Sequence, residues 1–295
     1  MTESNSEWAQ TVAHLLALAD RLEGHGQYNV AKLARASADS LARHAAYVLD
    51  LPRDEEELLS DLNHLLIALP GFGLGEALGA AMNRGAAAMA EGRLPLIDET
   101  PDPWVCRTCG ALLMAPPDAP CPTCGAWPAT FRHVKPVYWL DELQPAAALA
   151  LLRETPETVA GLLAGHDEAQ LGRPAPDGGW SIRQVVAHLR DAEGVLNGRV
   201  RLMVEQDNPT LESLAVFAWA TSEENRPPTT AEVFKTYRDS RDQTLETLKR
   251  LSPADWQRAG QHKEFGPVTI QQQASYFSSH EQTHLATLVA LRQAT

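Results

Sequence analysis

All four cysteines of this 295-residue chain fall in two CxxCG units, Cys106-Arg-Thr-Cys109-Gly and Cys121-Pro-Thr-Cys124-Gly, eleven residues apart. A CxxC turn aims two sulfurs at one point, and the glycine that follows lets the backbone bend beneath them. Two such knuckles supply a closed tetrahedral site of thiolates, suited to structural zinc or to a single iron. Two disulfides are the competing arrangement, and a chain read as intracellular disfavours them. A closed shell leaves no position for substrate. Zinc would therefore be structural here, whereas iron would permit one-electron transfer.

The cysteine segment also divides the chain. Residues 94–136 contain nine prolines, which is poor material for helix. Upstream, Leu15, Leu16, Leu18 and Leu22 begin an amphipathic helix that ends near Gly24 and Gly26. An Ala-rich helix is expected from Tyr28 to Leu49, stopped by Pro52. Asp54 is read as the cap of a third helix, with Glu55, Glu56 and Glu57 favourably placed in its first turn. Pro70-Gly71 ends it, and a fourth runs from about Leu74 to Glu91. Downstream, helices are expected over 145–164, 181–206, 229–251 and 268–293, with breaks at 172–179, Pro227-Pro228 and Gly266-Pro267. The predicted fold is mainly α. Two four-helix-bundle-type domains, 1–93 and 137–295, are joined by a small metal ribbon over 94–136.

Charge narrows the function classes. Twenty-five basic against 38 acidic side chains give a net charge of −13, which argues against a phosphate-backbone partner. No apolar run approaches the roughly 18–20 residues of a membrane span. The start, MTESNSEWAQ, has neither the basic nor the apolar part of a signal peptide, so a cytoplasmic location is expected.

The histidines point to a second metal site. His280 and His284 stand at i and i+4 in His280-Glu281-Gln282-Thr283-His284, on a stripe with Phe277, Leu288 and Leu291. The pattern matches the HExxH of zinc peptidases, but the eleven residues after His284 contain no further ligand. His188 is the better third ligand. It follows a Ser181 N-cap and shares a helix face with Val185, Ala192 and Val195. Three imidazoles around a divalent zinc, nickel or iron leave at least one position open, where a water or a thiol would lose its proton readily. Glu281, about 100° around the helix from His280, reads as a solvated surface charge. Acid–base chemistry and support of a ligand are its alternatives. Glu193 and Asp191 are candidates for supporting a ligand or pairing helices. His262 is read as structural or exposed; Trp180, Trp219 and Trp256 as core anchors; His14, His44 and His64 as surface or core-edge residues.

Two family resemblances accompany these readings. EGRLPLIDETPDPWVCRTCG…CPTCGAW resembles the rubredoxin-like tail of rubrerythrins, and Gly26-Gln-Tyr28 through Arg43-His44-Ala45 is similar to the ferritin-like helices of that family. A di-iron bundle needs Glu-x-x-His pairs. Here Leu41 stands three before His44, the fourth helix reads Ala81-Met82-Asn83-Arg84-Gly85-Ala86, and only Asp61-x-x-His64 keeps a pair. That half is therefore expected to be a degenerate bundle without a di-iron site. GGWSIRQVVAHLRDAE, with FGPVTIQQQASYFSSHEQTHL about ninety residues later, resembles the DinB/YfiT-like four-helix family. The resemblance implies metal ligation by His188, His280 and His284. It also implies a thiol-dependent transferase or a hydrolase, a low-molecular-weight thiol co-substrate, an unidentified small-molecule substrate and a homodimer. Electron transfer through the cysteine site, or a non-catalytic interaction protein, are the alternatives.

Overall fold

The computed structural model describes residues 3–47, 55–136, 141–176, 178–214 and 229–294. The expected stop at Pro52, the cap at Asp54, the break at Pro227-Pro228 and the anchor Trp219 lie outside them. Contacts divide the chain into two units: Met1–Arg93 with Pro103–Val134, and Leu94–Asp102 with Lys135–Thr295.

In the first unit, α1 (Glu3–Gly24) packs on α2 (Tyr28–Tyr47). Ala19, Ala31 and Ala34 form the centre of that contact, and their small side chains let the two backbones approach. Gly26 turns the chain between them at φ +74°, in the left-handed region that favours glycine. Glu23 of α1 receives Arg35 of α2 through two hydrogen bonds of 3.0 Å. Helix α3 (Glu55–Ala68) pairs with α4 (Glu76–Ala90) across a 3-10 turn at Leu69–Phe72. His14, His44 and His64 are all exposed, on α1, α2 and α3 respectively. The cysteine ribbon is a three-stranded antiparallel sheet of β1 (Trp104–Cys106), β2 (Leu112–Leu113) and β3 (Phe131–His133), in the order β2-β1-β3.

The second unit is built on four long helices: α5 (Pro145–Leu163), α7 (Ile182–Glu205), α8 (Thr230–Lys249) and α10 (Ile270–Ala294). Helix α7 packs on α8 and α10, and α5 packs on the same two, so the four close around one core. Leu152, Leu196, Val200, Met203, Leu248 and Ile270 fill one end of it. Val185, Val186, Leu189, Tyr237 and Leu288 fill the other. Each large apolar side chain buried this way contributes about 1.5–3 kcal/mol. Sequence-coded caps set the helix starts. Ser181 accepts from the Gln184 N–H while the Gln184 side chain accepts from the Ser181 N–H, and Thr229 Oγ1 accepts from Glu232.

Short elements bridge these helices: α6 (Glu168–Leu171), α9 (Pro253–Trp256) and the strands β4 (Thr210–Leu211), β5 (Ala259–His262) and β6 (Gly266–Thr269). Strand β4 runs parallel to β5, and β5 pairs with β6 in an antiparallel hairpin whose register sets His262 opposite Gly266. The last helix was expected from 268, but 266–269 is strand and the helix begins at Ile270. Pairing with β5 holds these residues extended, a preference invisible in so short a segment. No helix among the described residues is long and apolar enough to cross a membrane.

Strands β4 and β5 meet closely at Gly260. A Cβ at that position would stand 2.8 Å from Leu211 Cγ and 2.9 Å from the Pro209 carbonyl oxygen. Gly260→Ala is expected to cost about 1–3 kcal/mol through overpacking, read as a lower urea midpoint. An unchanged midpoint would mean that β4 yields freely.

Candidate metal centres

The ribbon brings the four cysteines together. Cys106 Sγ lies 3.8 Å from Cys124 Sγ and Cys109 Sγ lies 3.6 Å from Cys121 Sγ, with all four sulfurs unbridged. The two knuckles repeat each other. Cys106 and Cys121 donate their N–H to Ala111 and Ala126 (2.8 Å each), and Gly110 and Gly125 return theirs to Cys106 and Cys121 (2.9 Å each). Both glycines have positive φ, +78° and +73°. Burial opposes ionisation of Cys106, but the backbone amides of Cys109 and Thr108 outweigh it and hold this thiol down at about 6.

In the second unit, His188 projects from α7, and His280 and His284 project from successive turns of α10. His280 Nε2 lies 3.1 Å from His188 Nε2 and 3.0 Å from His284 Nε2, so three ring nitrogens converge on one point. Burial, reinforced by the neighbouring imidazoles, pushes His280 down to about 3 and His284 down to about 4. These two rings are thereby kept neutral, the form in which imidazole binds a metal. The donor set fits a divalent cation: three imidazole nitrogens, clustered and partly withdrawn from bulk water. The Trp180 ring centroid lies 5.1 Å from that of His188 and 6.4 Å from that of His284, so this tryptophan borders the centre as well as the core. Trp256 is buried in the core.

A cavity of about 320 Å³ adjoins the three histidines. Its wall continues through Ala192, Val195 and Arg199 on α7, and through Tyr276 and Phe277 on α10. The β5–β6 hairpin adds His262, Glu264 and Phe265. His262 is 2% exposed, which decides for the structural alternative. Burial and then the Arg199 charge hold it down at about 4. Arg199 donates to Gln273 Oε1 (3.1 Å), to the Glu212 carbonyl (2.7 Å) and to His262 Nε2 (2.8 Å). Arg199 and Tyr276 were not singled out from the sequence. The available signal was spacing: His188, Ala192, Val195 and Arg199 follow one helix face.

The structure corrects the reading of Glu281. It is 1% exposed and lies in an ion-pair cluster with the fully buried Arg241 of α8 and Glu193 of α7. Arg241 Nε and Nη2 donate to Glu193 Oε2 at 2.8 and 2.5 Å, and Nη1 donates to Glu281 Oε2 at 3.1 Å. Arg241 Nη2 and Thr244 Oγ1 make further short bonds to Glu281 and Glu193 respectively. Tyr237 completes the set by donating to Glu281 Oε1 at 3.3 Å. Burial disfavours the Arg241 charge, but Glu281 and Glu193 more than offset this and keep it protonated; burial also raises Glu193 despite the pull of Arg241. Glu281 is one step around α10 from His280, yet that step turns it toward α8 and not toward solvent. Neither glutamate lines the histidine cavity, which counts against an acid–base role there. Asp191 pairs with its neighbour Arg190 at 2.6 Å.

Comparison with known proteins places these features in context. Residues 151–288 match the sequence profile of the DinB superfamily, a span that contains all three histidines. A Bacillus mycoides (strain KBAB4) protein named "putative metal-dependent hydrolase" is 26% identical over 156 residues, covering 52% of this chain and 84% of that protein. A protein of the same description from Oceanobacillus iheyensis is 24% identical over 154 residues, covering 52% and 83%. Among solved structures, YfiT from Bacillus subtilis is described as a probable metal-dependent hydrolase with an unusual four-helix bundle topology. It superposes with a TM-score of 0.48 at 22% identity, covering 55% of this chain and 93% of that one.

Replacing Arg241 strands two buried carboxylates. Arg241→Met is expected to cost roughly 3–5 kcal/mol, the range for breaking a buried pair from one side, measured by urea unfolding. The triple variant Arg241→Met, Glu193→Gln, Glu281→Gln should recover part of that loss. A single variant as stable as the parent would show that the cluster contributes nothing.

Proposed function

We propose that residues 151–288, which match the DinB-superfamily profile, form a domain of that kind and that the second unit is a metal-dependent enzyme. His188, His280 and His284 hold one divalent cation, with zinc, nickel and iron as candidates, and the adjoining cavity admits a small-molecule substrate. The observation that carries this reading is the convergence of three imidazole Nε2 atoms on one point beside that cavity. When bound, such a cation supplies charge that neutral ligands leave uncompensated, and so lowers the pKa of a water or thiol brought to it.

The chain's own residues do the rest. The Ser181 cap and the packing of α7 on α10 fix the imidazoles in place, while Phe277, Tyr276 and Trp180 exclude water from around them. The relatives' names support hydrolysis. Thiol-dependent transfer with a low-molecular-weight thiol is the second reading, favoured by the cavity wall. Glu264 is the one carboxylate among its described residues, and it accepts a 2.7 Å hydrogen bond from Ser213. A nucleophile already anionic at the metal suits a wall so poor in bases.

The ribbon is read as a structural zinc site. Its core is small, with Cys106, Cys121 and Phe131 buried against a few partners, and a domain of this size gains its stability from a metal. Iron with electron transfer is the competing assignment, and a visible spectrum with ferric–thiolate absorption would establish it.

His188→Ala is expected to lose one equivalent of metal per chain and to keep the equivalent held by the cysteines, as measured by elemental analysis of the purified protein. Retention of both equivalents would overturn the three-histidine assignment. On metal-loaded wild type, an ester and amide panel run beside a thiol-transfer panel separates hydrolysis from transfer.

A further inference from the structure

The cavity beside the histidines has one cationic side chain in its described wall, Arg199. Among the described residues no carboxylate lies within ion-pair distance of it. Its partners are an amide oxygen, a backbone carbonyl and a neutral imidazole. Its Nε makes no hydrogen bond among the described residues. Glu264, in the same wall, is near enough to influence Arg199 electrostatically, but it accepts its hydrogen bond from Ser213. A guanidinium held on three sides by neutral acceptors, with donors to spare on a cavity surface, is preorganised for an anion. The planar fork matches a carboxylate in particular.

From this we infer that the substrate of the second unit is a small molecule bearing a carboxylate, which Arg199 binds while another part of the molecule reaches the histidine centre. The inference rests on the metal-enzyme reading for the reacting end, while the anion subsite is carried by Arg199 itself. The spacing of the two is readable on α10. Gln273, which holds Arg199, and His280 are seven residues apart, roughly 10 Å along the helix axis. With the Arg199 and His280 side chains both lining one cavity of about 320 Å³, the carboxylate and the reacting group are separated by a short chain of atoms. Tyr276 and Phe277 lie along the α10 wall between those rungs, and Val195 lies along the α7 wall, so the connecting stretch is apolar or aromatic.

Calorimetric titration of the zinc-loaded full chain tests this with 6-mercaptohexanoate, whose thiol binds zinc and whose carboxylate can reach Arg199. The neutral 6-mercaptohexanol and the thiol-free hexanoate serve as controls. The acid is expected to bind at least about tenfold tighter than the alcohol, the worth of a charge-assisted hydrogen bond. Arg199→Met should abolish that preference, and Arg199→Lys, which keeps the charge and loses the fork, should retain part of it. Equal binding of acid and alcohol by wild type, or an unchanged preference in Arg199→Met, would overturn the inference. Should Arg199→Met fail to fold, the wild-type comparison and the lysine variant decide. Hexanoate binding that depends on Arg199, without any contribution from the thiol, would leave the anion subsite standing and count against the open metal position. No binding of any probe would overturn both.

Discussion

The second unit depends on the burial of one arginine. Arg241 reaches from α8 to Glu193 on α7, to Glu281 on α10 and to the Leu152 carbonyl on α5, so one guanidinium touches all four helices of the bundle. The carbonyl contact has a local cause. Pro156 sits inside α5 and has no N–H to give to Leu152, four residues earlier, so that carbonyl would stand unsatisfied in the core. Arg241 Nη1 occupies it at 2.7 Å. A proline that would break an isolated helix is thereby accommodated by a partner 89 residues away in sequence. A buried ion cluster of this kind is weak evidence for net stability, because desolvation opposes it. Its directional bonds nevertheless specify how the helices are set against one another.

That setting matters because the histidine centre spans two of the same helices. His188 is five residues before Glu193 on α7, and His280 is adjacent to Glu281 on α10. The two glutamates thus anchor to α8 the very segments that carry the imidazoles. On one side of α10 the charges are compensated by a complete hydrogen-bonded network. On the next side, imidazoles and an arginine with no carboxylate partner among the described residues line a cavity. The contrast divides the polar interior into a part that joins the helices and a part that lines the cavity.

The degree to which these parts were legible in the sequence differs by mechanism. Long helices were readable because their apolar periodicity and their caps, Ser181 and Thr229, are local codes. The short strands β4, β5 and β6 were not, since two to four residues hold too little pattern and are made extended by pairing alone. His280 and His284 were legible as an i, i+4 pair, and His188 as an inward-facing residue on a capped helix. Glu281 was misread because a helix packed on two neighbours has little solvent side, and a 100° step around it meets another helix. Arg241 has only a faint signal in the sequence: it shares a helix stripe with Tyr237, Thr244 and Leu248, all buried in the structure.

By itself, then, the sequence determined the mainly helical class, the helix boundaries set by caps and glycines, the four-cysteine knuckles and the three histidines as a set. Each is encoded by residues within a few turns of one another, or by ligand chemistry that few other residue types share. Only the tertiary structure decided that Glu281 and Glu193 belong to Arg241 and not to the cavity, that His262 is buried, and that Arg199 enters the wall beside the histidines. Those outcomes turn on which side of a helix meets which neighbour across tens of residues. No local propensity encodes that, because desolvation and pairing are settled only once the four helices have closed.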